Sequence, residues 1–202
     1  MASRAAFLAV AALGLVIGAG SAVAWMGRGL APVGGGWMGS RVAGSGEADP
    51  WTRARVALTG LMALNRHQAL YFVRRSDDAG HPLVDRCRYR LSGGPLPGRW
   101  WSVTVYAADN YLPQNDDHAL SVDATRVHPD GAGRWQAIAS AREEPGQVRV
   151  STRSAGQFDL TLRIYAPTAA AQADLAAIVL PRVERIDCGK GAGAGAGAGE
   201  GA

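Results

Sequence analysis

The stretch Arg99-Trp100-Trp101-Ser102-Val103-Thr104-Val105-Tyr106, followed by Ala107-Ala108-Asp109-Asn110, decides the fold. Its aromatic and β-branched residues suit an extended strand, and Asp-Asn suits the turn that ends it. Successive side chains point to opposite faces of a strand. Trp100 and Trp101 therefore give one large ring to each face, which predicts a strand covered on both sides. Such a strand needs partners. Downstream, Phe158, Leu160, Leu162 and Ile164 alternate with Asp159, Thr161, Arg163 and Tyr165. Upstream, Cys87, Tyr89 and Leu91 alternate with Arg86, Arg88 and Arg90, the pattern of a strand with one wet face. Val148, Val150 and Thr152 alternate with Arg149, Ser151 and Arg153, and residues 119–127, 135–140 and 182–188 read as further strands. Short strands separated by Gly/Pro/Asp turns predict a mostly β fold, an antiparallel β-sandwich.

Two helices flank it in this reading. Asp49 is a suitable N-cap and Pro50 a suitable first helical residue. Trp51, Ala54, Arg55, Leu58, Leu61, Met62, Leu64 and Ala69 lie on one side of a helix that should run to about Val73. Thr168 to Ala177 predicts a short C-terminal helix. The ordered domain spans residues 49–188, and the Gly-Ala alternation of 189–202 reads as a disordered tail.

Residues 5–26 carry no charge, with Arg4 before them and Arg28 after. A run of this length crosses a bilayer as one helix, and Trp25 suits an interfacial position. Its length favours an uncleaved transmembrane anchor. Ala22-Val23-Ala24 is also an A-x-A cleavage pattern, so residues 1–26 are read as anchor or signal. Residues 27–48, rich in Gly, read as a flexible linker in which Trp37-Met38 touches the bilayer surface. The expected placement is a single-pass inner-membrane protein with its domain in the periplasm.

Composition narrows the function classes. The formal charge of +4 comes from scattered arginines rather than a basic tract, so nucleic acid is not an expected partner. His67, His81, His118 and His128 show no metal-ligand spacing, and no metal or cofactor is expected. There is no G-x-S-x-G elbow and no Gly-rich phosphate loop following an expected strand, and Gly34-Gly35-Gly36 in the linker reads as flexibility rather than a phosphate site. Cys87 and Cys188 form an even pair beyond the anchor, which in an exported domain permits one disulfide, the alternative being two separate buried thiols. The candidate binding residues are Arg99, Trp101, Tyr106, Asp109, Asn110 and His67. They combine a cation, aromatic faces and a carboxylate at the ends of a rigid strand. Against this stands a plainer reading: Asp109-Asn110 merely closes a turn, Arg99 pairs on the surface, and the tryptophans are core.

Trp101-Ser102-Val103-Thr104-Val105-Tyr106, with Asp109, Leu112 and Asn115, resembles the signature of domain-of-unknown-function family 1214. Ala69-Leu70-Tyr71-Phe72 before Asp77-Asp78-Ala79-Gly80, the run from Gly156 to Pro167, and Pro181-Arg182-Val183 extend the resemblance over roughly residues 50–188. It implies a jelly-roll-like sandwich with no established activity. It also implies a short, membrane-anchored bacterial form lacking the unknown-function family 1254 half that often precedes this domain. The chain departs from the family pattern at Ala107 and at Ala119-Leu120-Ser121.

Three readings of function follow. The first is a non-catalytic, membrane-anchored envelope domain that binds an envelope protein, glycan or lipid. The second is an envelope hydrolase or small-molecule-modifying enzyme using Arg99, Asp109 and His67, which requires those groups to converge. The third is a lipid-binding or trafficking domain, which requires an apolar cavity between the sheets.

Overall fold

A computed structural model describes residues 2–26, 30–40, 45–46, 48–58 and 64–189. Among them, α1 is Ala2–Met26, β1 Ala31–Gly34, β2 Trp37–Gly39, α2 Pro50–Leu58 and β3 Ala69–Arg74. Next come β4 (Cys87–Gly93), β5 (Gly98–Ala107), β6 (Ser121–Asp123), β7 (Trp135–Ser140) and β8 (Arg149–Ser151). The chain continues through β9 (Phe158–Pro167), α3 (Ala169–Ala173) and β10 (Arg182–Cys188).

The strands form two sheets. The larger has the order β1-β2-β3-β9-β5-β6, and the smaller β10-β4-β7-β8. The Trp-Trp strand, β5, pairs along its length with β9, from Gly98 opposite Pro167 to Ala107 opposite Phe158. The alternation read in each strand explains this: one face of each supplies the core. Leu160, Leu162, Ile164, Val103 and Val105 meet Tyr89, Leu91 and Val183 from the smaller sheet. Trp101 stacks on Trp135 at 4.3 Å between centroids, and Tyr89 meets Phe158 edge-on at 5.9 Å. Among the described residues these side chains pack between the sheets, where the lipid-binding reading calls for an apolar cavity. Each fully buried large apolar residue stabilises the fold by about 1.5–3 kcal/mol. At Gly98 β9 leaves no room for a side chain. A Cβ there would lie 2.4 Å from Ile164 Cγ2 and 2.8 Å from the Tyr165 carbonyl.

Cys87 and Cys188 are register partners on β4 and β10 and are joined by a disulfide. The wet face of β4 carries ion pairs: Arg88 binds Glu144 and Asp187, each at 2.6 Å, and Arg90 binds Glu184 at 2.9 Å. α3 is capped by Thr168, whose side chain accepts from the Ala171 amide.

The C-terminal helix expected over Thr168–Ala177 is confined to Ala169–Ala173, closed by Asp174, and the structure departs from the sequence reading in five further places. The described helix is Pro50–Leu58, and residues 69–74 are strand, not helix. Asp49 caps it as expected, accepting from the Trp51 and Thr52 amides. The apolar run Ala69-Leu70-Tyr71-Phe72-Val73 instead pairs with β9 on one side and β2 on the other, so tertiary pairing overrides the helical spacing. Residues 59–63 of the expected helix lie outside the described residues, as does the expected tail beyond Gly189.

The second departure is the linker. Residues 31–39 form a β-hairpin on the sheet edge rather than a free stalk. Its turn residues Gly35 and Gly36 have φ of +56° and +77°, a conformation that favours glycine. Trp37 is 1% exposed, and its Nε1 donates to the Pro181 carbonyl at 2.7 Å. It therefore packs into the core instead of touching a bilayer.

Third, β7 and β8 pair in parallel, so the smaller sheet is mixed. Fourth, the strand expected over 119–127 shrinks to Ser121–Asp123, after which Asp123 closes a turn by accepting from the Thr125 amide. Fifth, β5 is buried unequally: Trp101 lies in the core, but Trp100 on the outer face is only half-buried, against Tyr165 at 5.1 Å.

Candidate functional site

The residues singled out from sequence do not assemble as a group. Arg99 is exposed near the start of β5, and Asp109 follows its far end. The eight steps from Arg99 to Ala107 span roughly 26 Å at strand rise. A catalytic pair of Arg99 and Asp109 is therefore not formed. Asp109 accepts from the Tyr111 amide at 3.0 Å, while the Asn110 amide donates to the Ala107 carbonyl at 2.9 Å. Asn110 sits at φ +67°, as a turn residue of its type can. These two residues close a turn, the plainer alternative. His67 is exposed in the turn before β3, not on a helix, and its amide donates to Asn65 Oδ1. Trp101 is core. Of the candidates, Tyr106 alone leads to a cluster.

That cluster occupies the outer face of the larger sheet. Register sets the layout. Tyr165 of β9 lies between Ala69 of β3 and Trp100 of β5. One row on, Arg163 lies between Tyr71 and Ser102, and Asp123 of β6 follows Ser102. The next row is Val73, Thr161, Thr104 and Ser121, and the last pairs Asp159 with Tyr106. Four strands across and four rows along give a face of roughly 14 by 20 Å.

Small residues make its floor: Ser102, Thr104 and Thr161 are 5%, 9% and 3% exposed. The taller Trp100, Tyr106, Arg163 and Tyr165 around them remain partly exposed. The result is a shallow trough with a hydroxyl floor and aromatic margins.

Arg163 organises the trough. Its guanidinium donates to Thr104 Oγ1 at 3.2 Å and to the Tyr106 hydroxyl at 2.6 Å. It also lies 5.8 Å from the centroid of Tyr71 and 5.4 Å from that of Tyr106, within cation–π range. Asp159 stands at the end of the same β9 row. Burial pushes its carboxyl up to about 6, against the weaker pull of Arg75, Thr161 and Arg163. Arg75 is 3.9 Å away and Thr161 Oγ1 3.4 Å. A largely buried carboxyl with such loose partners is a group held ready for another hydrogen-bond donor.

The signal for this cluster was present in the sequence. Asp159, Thr161, Arg163 and Tyr165 are the wet side of the most regular strand. Alternation marks such a face as solvent-exposed, however, and does not say which neighbouring strands bring tyrosines beside it.

A second polar feature is a cleft of about 410 Å³ lined in part by Asp117, His118, Arg126, Glu143, Glu144 and Arg149. Most of its charges are paired with one another, and Arg126 donates to the Ser121 carbonyl. Arg149 pairs with Asp117 at 3.2 Å and Glu143 at 2.7 Å, Asp117 also pairs with Arg153, and Arg88 holds Glu144. Such mutual pairing makes the cleft a structural network joining the 117 loop to β8. Among the described residues no group of three or more His, Cys, Asp or Glu is placed to hold a metal ion.

The architecture defines the class: a two-sheet β-sandwich following one apolar helix, with a polar-aromatic face on its larger sheet. Residues 68–169, half of the chain, match the model of the protein family of unknown function DUF1214, and the chain belongs to that family. Its fold resembles the crystal structure of the VPA0106 protein from Vibrio parahaemolyticus, with a TM-score of 0.57 and 22% identity over 70% of this chain and 36% of that one. A putative uncharacterised protein from Burkholderia cenocepacia matches with a TM-score of 0.45 and 18% identity over 78% of this chain and 37% of that one. The chain thus spans little more than a third of the length of these solved structures. No curated protein matches it.

The apolar helix α1 contains the span Arg4–Ala24, with mean hydropathy 2.2, long and apolar enough to cross a membrane. A signal sequence has the same properties. The disulfide points to an oxidising compartment.

Proposed function

We propose that this chain is a single-pass inner-membrane protein. In this reading its β-sandwich is a non-catalytic periplasmic domain that binds envelope glycans in the trough on the larger sheet. One observation carries the reading: Trp100 and Tyr165 meet at a tilt of 50°, 5.1 Å between ring centroids, beside Arg163, Tyr106 and Asp159 on a floor of buried hydroxyls. A sugar ring has apolar C–H faces that lie flat on aromatic rings, and hydroxyls that need both donors and acceptors. Trp100 and Tyr165 offer the first. Arg163 supplies donors, Asp159 an acceptor, and the Ser and Thr hydroxyls both. The apolar α1 and the disulfide support the placement.

The test is co-sedimentation of the detergent-solubilised full chain with purified cell-wall glycan. Wild type should sediment. Trp100→Ala combined with Arg163→Lys should weaken retention about tenfold, the loss of about 1.4 kcal/mol. Equal retention of wild type and variant, or no retention of wild type, rejects the trough as a glycan site.

A further inference from the structure

The hairpin shortens the distance between α1 and the folded domain. α1 ends at Met26 and the first paired residue of the sheet is Ala31, so only residues 27–30 intervene. Five Cα steps reach at most roughly 18 Å. A domain on so short a lead, if α1 stays in the bilayer, lies against the membrane surface rather than at a distance from it. The element placed to meet that surface is α2. It packs against α1, and Ala22, near the end of α1, is partly covered.

α2 has two unlike sides. Thr52 is buried, and Ala54 and Val56 are half-buried. Pro50, Trp51, Arg53 and Ala57 are exposed, Trp51 by 40%. Arg53 donates to the Ala48 and Gly46 carbonyls, which holds its guanidinium at the N-terminal end of the helix, the end that also carries Trp51. An indole next to a fixed cation, at the end of an apolar helix, matches the boundary between acyl chains and headgroups. The +4 formal charge of the chain favours anionic lipid.

We infer that α2 docks on the bilayer, with Trp51 at the acyl–headgroup boundary and Arg53 among the lipid phosphates, so that the sandwich is held in a fixed pose on an anionic membrane. This rests on the reading of α1 as a retained anchor. It is independent of what the trough binds.

The full chain is reconstituted into vesicles of phosphatidylcholine and phosphatidylglycerol, with and without brominated acyl chains, beside its Trp51→Phe variant. The difference between the two proteins isolates Trp51 from the other tryptophans, Trp25 included. Brominated chains should quench the Trp51 component several-fold, and phosphatidylcholine alone should quench it less. Alkaline carbonate extraction of the same vesicles reports on α1 separately. Protein that resists extraction but shows no Trp51 quenching overturns the docking of α2 and leaves the anchor standing. Release by carbonate overturns the anchor and the docking with it. A Trp51 shielded from both brominated lipid and aqueous iodide has a protein neighbour, which also overturns lipid docking.

Discussion

At the scale of single residues, Asp159 shows how the outer face differs from an ordinary wet face. Its side chain is 13% exposed, and burial raises its carboxyl from 3.8 to about 6. The unfolded chain therefore releases this proton at lower pH than the folded one. Between about pH 4 and 6 the native state binds more protons, so this group's contribution to stability falls as pH rises through that window. Above it the cost of the buried charge is complete, about 3 kcal/mol at most. Asp159→Asn should therefore raise the urea midpoint at pH 7.5 and flatten its dependence on pH between 4 and 6. An unchanged pH profile would show that the carboxyl titrates normally. If Asp159 accepts from a bound sugar, the same substitution should weaken glycan retention while stabilising the protein, a divergence that distinguishes a ligand contact from a packing one.

At the scale of elements, the hairpin is the main surprise and the clearest lesson. Strands β4, β5, β7 and β9 were legible because each carries its own alternation or a dense β-branched and aromatic run. β1 and β2 carry four and three residues and no alternation. Their stability comes from elsewhere: the edge of β3, the two-glycine turn and the single indole of Trp37. None of these is a local pattern, so Gly34-Gly35-Gly36 reads as linker until β3 is in place. The same non-local logic holds at residues 69–73, whose helical spacing yields to pairing on both sides. It also hid the trough, since Tyr71, Tyr106 and Arg163 come from three strands and meet only through register. Trp37→Ala should cost about 3–5 kcal/mol, the usual range for removing a buried Trp, and should speed amide exchange across residues 31–39. If exchange there is already fast in wild type, the hairpin is not held as described.

At the scale of the whole molecule, the disulfide joins two places far apart in the chain, Cys87 and Cys188, with a separation of 101 residues. It fastens β10 to β4, and through them encloses β5, β7 and β9 in one covalent loop. Loops of about this length constrain the unfolded chain by up to ~4.7 kcal/mol in the entropy model. Replacing both cysteines by alanine should lower stability by about 2–5 kcal/mol, measured by denaturant unfolding without reductant. Wild type in reductant should approach the same midpoint. A double variant as stable as wild type would make the bond incidental to folding.

The edges of the larger sheet bear on whether copies of this chain can extend it. One margin is β1, four residues with Pro32 inside it; the other is β6, three residues long. A proline has no amide hydrogen to give to an added strand, and so short an edge offers little template for one. Proteins confined to a membrane plane collide often and in similar orientations, the situation in which open sheets polymerise. If the chain is held in a membrane plane as proposed, crowding raises the number of encounters, but neither margin of the larger sheet offers a long strand for a second copy to extend.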